Sequence, residues 1–199
     1  MSLLKNLIQQ AKKPDGVVGR IMIMIMNSAH HKKTKWGLLK LNLEKNSSVL
    51  DIGCGGGNTI SLLCKIAYEG RICGIDYSYE AVKQSIKKNQ NAVNTGLVEV
   101  EHGSVLKIPQ KDSEFNYVTA VQTHYFWPEL EASILEINRV LKNKGKLMIV
   151  SETYKMEYHM KNYKKSRELY ELLEKCKFKN IKLYEDNGWV CLVGSKSVV

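Results

Sequence analysis

The run Ser48-Val49-Leu50-Asp51-Ile52-Gly53-Cys54-Gly55-Gly56-Gly57 constrains this chain more than any other stretch. Aliphatic and β-branched residues (Val49, Leu50, Ile52) meet four glycines, and an apolar pattern of helical period follows. That is the sequence of a buried strand ending in a tight turn that opens a helix. Glycine is required where the backbone must double back and lie flat against a ligand, because a Cβ would intrude. The helix beyond the turn directs unpaired N–H groups toward that ligand. The stretch predicts a nucleotide-type cofactor loop.

Two features argue against a dinucleotide. The phosphate-binding fingerprint Gly-x-Gly-x-x-Gly has Asn58 where its last glycine is needed. Asp51 stands two residues before the first glycine, where a carboxylate repels a pyrophosphate and suits a cation. S-adenosylmethionine meets that demand, since it carries an ammonium and a sulfonium together with a ribose and an adenine. About twenty residues on, Arg71-Ile72-Cys73-Gly74-Ile75-Asp76 reads as the next strand. It ends in an acid whose two oxygens can accept from both hydroxyls of a ribose.

These residues carry a family resemblance. Val49 to Gly57, followed by Gly74-Ile75-Asp76-Tyr77-Ser78, resembles motifs one and two of the class I S-adenosylmethionine-dependent methyltransferases. Leu141-Lys142-Asn143-Lys144-Gly145-Lys146-Leu147 is similar to a segment of the small ubiquinone/menaquinone-type (methyltransferase domain 11-like) family. The resemblance spans roughly Ser48 to Glu152, and three motifs in order are specific where one glycine loop is not. It implies an α/β fold: a Rossmann-like, doubly wound, mostly parallel seven-stranded sheet with an antiparallel last strand. It also implies an N-terminal helical lid, residues 1–47, on a methyltransferase core, residues 48–199, within a single domain.

The resemblance further implies roles for residues. Asp51 would hold the methionine ammonium, with Gly53, Cys54 and Gly55 allowing close backbone approach. Asp76 would hold the ribose, Tyr77 would pack near the adenine, and Ser104 and Val105 would meet its edge. Gly103-Ser104-Val105 stands where many relatives have Gly-Asp-Ala, so only one side-chain hydrogen bond is expected there. Phe115-Asn116 departs likewise from Phe-Asp. Gln122-Thr123-His124-Tyr125-Phe126-Trp127-Pro128 follows the fourth strand at the rim where acceptors dock. Gln122 is expected beside the cofactor, and His124 and Tyr125 are expected to be catalytic. An aromatic loop of this kind can stack an apolar or cationic acceptor.

The chain's 199 residues suffice for one domain with a substantial core. The net charge of +10 raises RNA as an acceptor. Lysine outnumbers arginine 26 to 4 and is spread along the chain, which fits a solvated surface better than phosphate recognition. The Asn-Pro-Pro-Tyr type motif of methyltransferases acting on adenine or glutamine amino groups is absent. No run approaches the ~20 apolar residues of a membrane span, and no signal peptide is evident. Five cysteines without metal-ligand spacing read as reduced thiols in a core, and no metal site is expected. A cytoplasmic location follows from these expectations.

Along the chain, an amphipathic helix is predicted over Met1 to Lys13, broken by Pro14-Asp15-Gly16. Val17 to Met26 is apolar on every side and is assigned to helix, as core, lid packing or an adaptable pocket wall. Asn27 to Leu43 carries His30 and His31, a pair expected to be solvated. Helices are predicted at Asn58 to Tyr68, Ser78 to Gly96, Pro128 to Leu141 and Glu157 to Cys176. Strands are predicted at Leu97 to His102, Phe115 to Gln122, Lys146 to Ser151, Ile181 to Tyr184 and Val190 to Val193. The reading that results is an S-adenosylmethionine-dependent methyltransferase with a small-molecule acceptor. An RNA methyltransferase and a non-catalytic cofactor-binding partner subunit are the alternatives.

Overall fold

The computed structural model describes residue 10 and residues 12–197. Leu3, Leu4, Leu7, Ile8 and Ala11, the apolar positions of the helix expected at the N-terminus, lie outside the described residues. The seven strands are β1 (Ser48–Ile52), β2 (Arg71–Asp76), β3 (Val98–His102), β4 (Phe115–Val121), β5 (Leu141–Glu152), β6 (Phe178–Asp186) and β7 (Trp189–Lys196). They form one sheet in the order β3-β2-β1-β4-β5-β7-β6. The pairs from β3 through β5 are parallel, and β7 runs antiparallel to both β5 and β6. This is the doubly wound sheet with an antiparallel final strand that the motifs imply. Its strand order reverses between β1 and β4, and open α/β sheets bind ligands in the crevice at such a point.

The central strands are apolar on both faces because helices cover both. Successive side chains alternate between the two layers. Leu50, Cys73, Val118 and Leu147 join Ile134 and Ile137 of the helix Leu130–Val140 and Leu169 and Leu173 of the helix Ser166–Lys175. Val49, Ile72, Met148 and Val150 pack on the other face, with Ile60, Leu63 and Leu38. Numbered in order, the helices are α1 (Gly16–Leu38), α2 (Asn58–Leu63), α3 (Tyr79–Lys88), α4 (Gln90–Asn94), α5 (Leu130–Val140), α6 (Thr153–His159) and α7 (Ser166–Lys175).

The helix assigned to Val17 to Met26 is present and continues, as α1, to Leu38. Three expectations are corrected. The crossover helix α2 stops at Leu63, and its last turn tightens through Lys65 N–H to Leu62 O and Ile66 N–H to Leu63 O. The helix predicted over Ser78 to Gly96 is divided at Asn89, whose buried amide donates to Gly57 O (3.1 Å) and Ser85 O (2.9 Å). That side chain competes with the helical backbone and ties the helix end to the glycine turn. The tail helix is divided as well: the chain turns at Tyr163 (φ 58°), and Glu168 accepts from the Lys165 N–H to start α7 anew.

Ser78 caps α3, its hydroxyl accepting from Ala81 N–H at 3.1 Å. The last two strands run longer than expected because Asn187 (φ 46°) and Gly188 (φ 78°) form a two-residue hairpin turn. Asn-Gly suits that turn since both central residues need positive φ.

Asn89→Ala should cost about 1–3 kcal/mol in urea unfolding, because two side-chain hydrogen bonds are lost while Gly57 O and Ser85 O keep only their backbone donors, Ser61 and Asn89. An unchanged midpoint would show that α3 holds the glycine turn without that amide.

Candidate functional site

A cavity of about 690 Å³ opens at the crevice, within the range of small-molecule sites. Its wall on the β1 side is the turn the sequence predicts. Gly53 (φ 66°), Gly55 (φ 53°) and Gly57 (φ 77°) adopt left-handed backbone, and the N–H groups of Gly53 and Cys54 both donate to Ile75 O. A Cβ on Gly53 would collide with Thr123, whereas the corresponding point at Gly55 is open space. The turn is closed toward the protein and bare toward the cavity.

Asp76, at the end of β2, lines the cavity. Its Oδ2 accepts from Gly55 N–H (2.8 Å) and its Oδ1 from Ser78 N–H (2.9 Å). Burial raises its carboxyl above the ordinary range, against those backbone donors. Each oxygen keeps a lone pair for a further donor.

Asp51 lies behind the turn, 1 % exposed. Its Oδ1 accepts from the Thr119 hydroxyl at 2.6 Å, and its Oδ2 has no hydrogen-bond partner. Burial pushes the carboxyl up to about 7, Thr119 opposing and Asp76 adding to the rise. A buried carboxylate oxygen left without a donor fits a cationic ligand group beside Gly53. Cys54 also lines the cavity, and burial followed by Asp76 and Asp51 drives its thiol well above the ordinary value. It is an inert neighbour.

Tyr77, Gly103, Ser104 and Val105 complete this end. Tyr77 is more than half exposed, with Lys13 Nζ 4.5 Å from its ring centroid. The Ser104 hydroxyl accepts from Leu106 N–H at 3.2 Å.

The opposite end combines the loop after β4 with α1 and the end of β5. Gln122 holds a positive φ of 58°. Its Oε1 accepts from the Tyr125 hydroxyl (3.1 Å) and from Lys155 Nζ (3.1 Å), and its Nε2 is buried without a partner. Strain of this kind in a non-glycine residue concentrates at functional sites. Lys155 also pairs with Glu152 at 2.8 Å and reaches His30 Nε2 at 3.2 Å. Lys33 completes the cluster, 3.1 Å from Glu152. Burial alone would raise Glu152, but Lys155 and Lys33 hold it below the usual carboxylate range. Burial first, then Lys155 and Lys33, lowers His30 to about 4. Burial drives the Tyr125 hydroxyl up, with Glu152 adding to it.

Nine of the eleven singled-out residues thus line one cavity, Asp51 lies behind its glycine turn, and His124 stands apart. His124 does not line the cavity: it is 1 % exposed in the core, and neither ring nitrogen has a partner. Burial lowers it to about 3. Its ring meets Tyr125 and Trp127 edge-on instead. The 3₁₀ turn His124–Phe126 sends the two consecutive side chains apart, so Tyr125 enters the cavity and His124 does not.

His30, expected to be solvated, lines the cavity together with Ile23, Met26, Asn27 and Thr34 of the same helix face. That spacing was a readable signal. Lys155 was another, since it follows the C-terminal end of a strand in an open α/β sheet. Thr119 was a third, a lone polar side chain in the buried run Val118 to Val121.

Solved structures share this architecture. A chain in the Haloferax volcanii complex between the Trm112 methyltransferase activator and a methyltransferase superposes with TM-score 0.76 at 19 % identity, covering 90 % of this chain and 95 % of that one. A SAM-dependent methyltransferase from Aquifex aeolicus gives TM-score 0.70 at 20 % identity, over 87 % and 96 %. In sequence, a demethylmenaquinone methyltransferase of Staphylococcus saprophyticus is 28 % identical over 172 residues, 77 % of this chain and 72 % of the relative. Residues 43–190 match the family described as methyltransferase domain. That match, over most of the chain, defines an S-adenosylmethionine-dependent methyltransferase. The chain belongs to the class I methyltransferases.

Asp51 makes a prediction about the free protein. Its carboxyl titrates near 3.8 when unfolded and near 7 when folded, so folding loses stability as pH rises through that window. Asp51→Asn removes the loss. The variant should match wild type at pH 4 and exceed it by roughly 1–4 kcal/mol at pH 8. Chemical denaturation at the two pH values measures the difference, and a variant less stable at pH 8 contradicts it.

Proposed function

We propose that this methyltransferase acts on a small-molecule acceptor with an apolar body and an oxygen function, bound under α1. The observation that carries the reading is the continuity of one cavity from Asp76 and the glycine turn to the His30–Lys155–Tyr125 cluster. Between them its wall is apolar, with Met22, Ile23, Met26, Val105, Phe126 and Trp127. The Staphylococcus saprophyticus relative is named for demethylmenaquinone, and an acceptor of that general kind suits such a wall.

Asp76 would hold the ribose hydroxyls, Ser104 and Val105 the adenine edge, and Tyr77 its face. Gly53, Cys54 and Gly55 would lie along the methionine end, with Asp51 Oδ2 serving the ammonium. S-adenosylmethionine supplies a methyl group on a sulfonium, an activated carbon with a good leaving group. The chain's own task is alignment and the exclusion of water.

At neutral pH His30 is uncharged and accepts a hydrogen bond from the Lys155 ammonium at Nε2, which leaves its proton on Nδ1. Nδ1–H is then a donor for an acceptor's oxygen. The Lys155 charge favours the acceptor bound with that oxygen ionised and therefore nucleophilic, in a cavity where charge is poorly screened. Tyr125 stays protonated and fixes Gln122. His30 acts by positioning, since a group titrating near 4 is a weak base at pH 7. Residues 1–47 form the lid in this reading, and α1 is its described part.

The test is transfer of labelled methyl from S-adenosylmethionine into host extract, separated into small molecules, RNA and protein. Label confined to RNA or protein refutes the proposal. With the acceptor identified, Lys155→Met should lower kcat by roughly a hundredfold, in the range of lost electrostatic stabilisation. Its cofactor affinity should be unchanged. Asp76→Ala should instead weaken cofactor binding by at least about tenfold, the loss of two hydrogen bonds. Titration calorimetry separates the two, and the reverse assignment would refute the division of the cavity.

A further inference from the structure

The helix that roofs the cavity is apolar on two sides. Met22, Ile23 and Met26 face inward. Val17, Val18, Ile21, Met24 and Ile25 face outward, each more than half exposed. Their spacing places all five on one face across three turns. Exposed apolar residues scattered singly need no explanation, but a contiguous stripe marks a contact surface.

Charge identifies what that surface meets. Lys32 and Lys35 continue the outward face over the next turns, both exposed. Gly16 to Leu38 contains no acidic residue, and the chain as a whole carries +10. An apolar band continued by cations on the same helix face is the pattern of a helix lying in a membrane interface. Among the described residues no helix is long and apolar enough to cross a membrane. The charges complement an anionic headgroup layer and the band suits the acyl boundary beneath it.

We propose that the outer face of α1 docks on the surface of an anionic lipid bilayer. Val17, Val18, Ile21, Met24 and Ile25 sit below the headgroups, and Lys32 and Lys35 meet lipid phosphates. The helix then has lipid on one side and the cavity on the other. Docking is independent of the acceptor's identity, and its test needs no turnover.

The experiment is flotation of the full chain with phosphatidylglycerol-containing vesicles and with vesicles of phosphatidylcholine alone, at low and high salt. Wild type should float with the anionic vesicles and at least about tenfold less with the neutral ones or in high salt. Ile21→Gln/Ile25→Gln should lose at least about tenfold in partitioning through lost apolar burial, and Lys32→Glu/Lys35→Glu a comparable amount through reversed charge. Circular dichroism and melting of both variants should match wild type, since all four side chains are exposed. Failure of wild type to float with anionic vesicles overturns the proposal. So does equal flotation with neutral vesicles, or equal flotation of the two variants and wild type. A dimer in light scattering that Ile21→Gln/Ile25→Gln dissociates, with vesicles leaving wild type unbound, assigns the face to a second copy and overturns it as well.

Discussion

The packing of four elements against one five-residue turn governs the rest of this molecule. The point where a Cβ of Gly53 would sit belongs to Thr123 beyond β4, that of Gly56 to Ile23 and Asn27 of α1, and that of Gly57 to Ser85 and Asn89 of α3 and its end. Ile75 of β2 takes the N–H groups of Gly53 and Cys54. A side chain at Gly53, Gly56 or Gly57 would push at least one of these elements away. Because those three positions carry none, Asp76, Gln122 and His30 reach a common cavity although they belong to separate parts of the chain.

Much of this was legible from sequence. A parallel sheet buried on both faces writes its strands as short apolar runs, and β1, β2 and β4 were located within a residue or so. The cofactor end was legible because its geometry is local: a strand end, a glycine turn, and the end of the adjacent strand. Asp51, Gly53, Gly55 and Asp76 needed no knowledge of distant contacts.

The end proposed for the acceptor was not legible, because its residues meet only through the fold. His30 and Lys155 are 125 positions apart and become neighbours when α1 crosses the end of β5. His124 shows the converse. Its aromatic, rim-side context favoured a role in the cavity, but a single 3₁₀ turn decides which of two adjacent side chains enters, and composition does not encode that choice. The Val17 to Met26 run is the helix expected, but its sequence does not say which side faces inward. Apolar on all sides, it reads as buried, yet only one side finds a partner among the described residues, and its outward residues are left to water or to another surface.

The two ends of the cavity also differ in the sign of their electrostatics. At the glycine turn, Asp51 and Asp76 are both raised, because carboxylates are buried there with hydroxyl and backbone donors but no side-chain cation bonded to either. At the other end Lys33 and Lys155 share one carboxylate, Glu152, and lower the neighbouring His30. One end favours a positive guest and the other a negative one. Methyl transfer from a sulfonium begins with positive charge on the donor and leaves a neutral thioether, while the acceptor gives up electron density. In the proposed reading, a cavity polarised in this direction would hold the cationic donor at its acidic end and an electron-rich acceptor at its basic end. The reacting carbon would then lie between fields of opposite sign. Two shells of ordinary side chains, arranged by one glycine turn, suffice to set that orientation before any substrate enters.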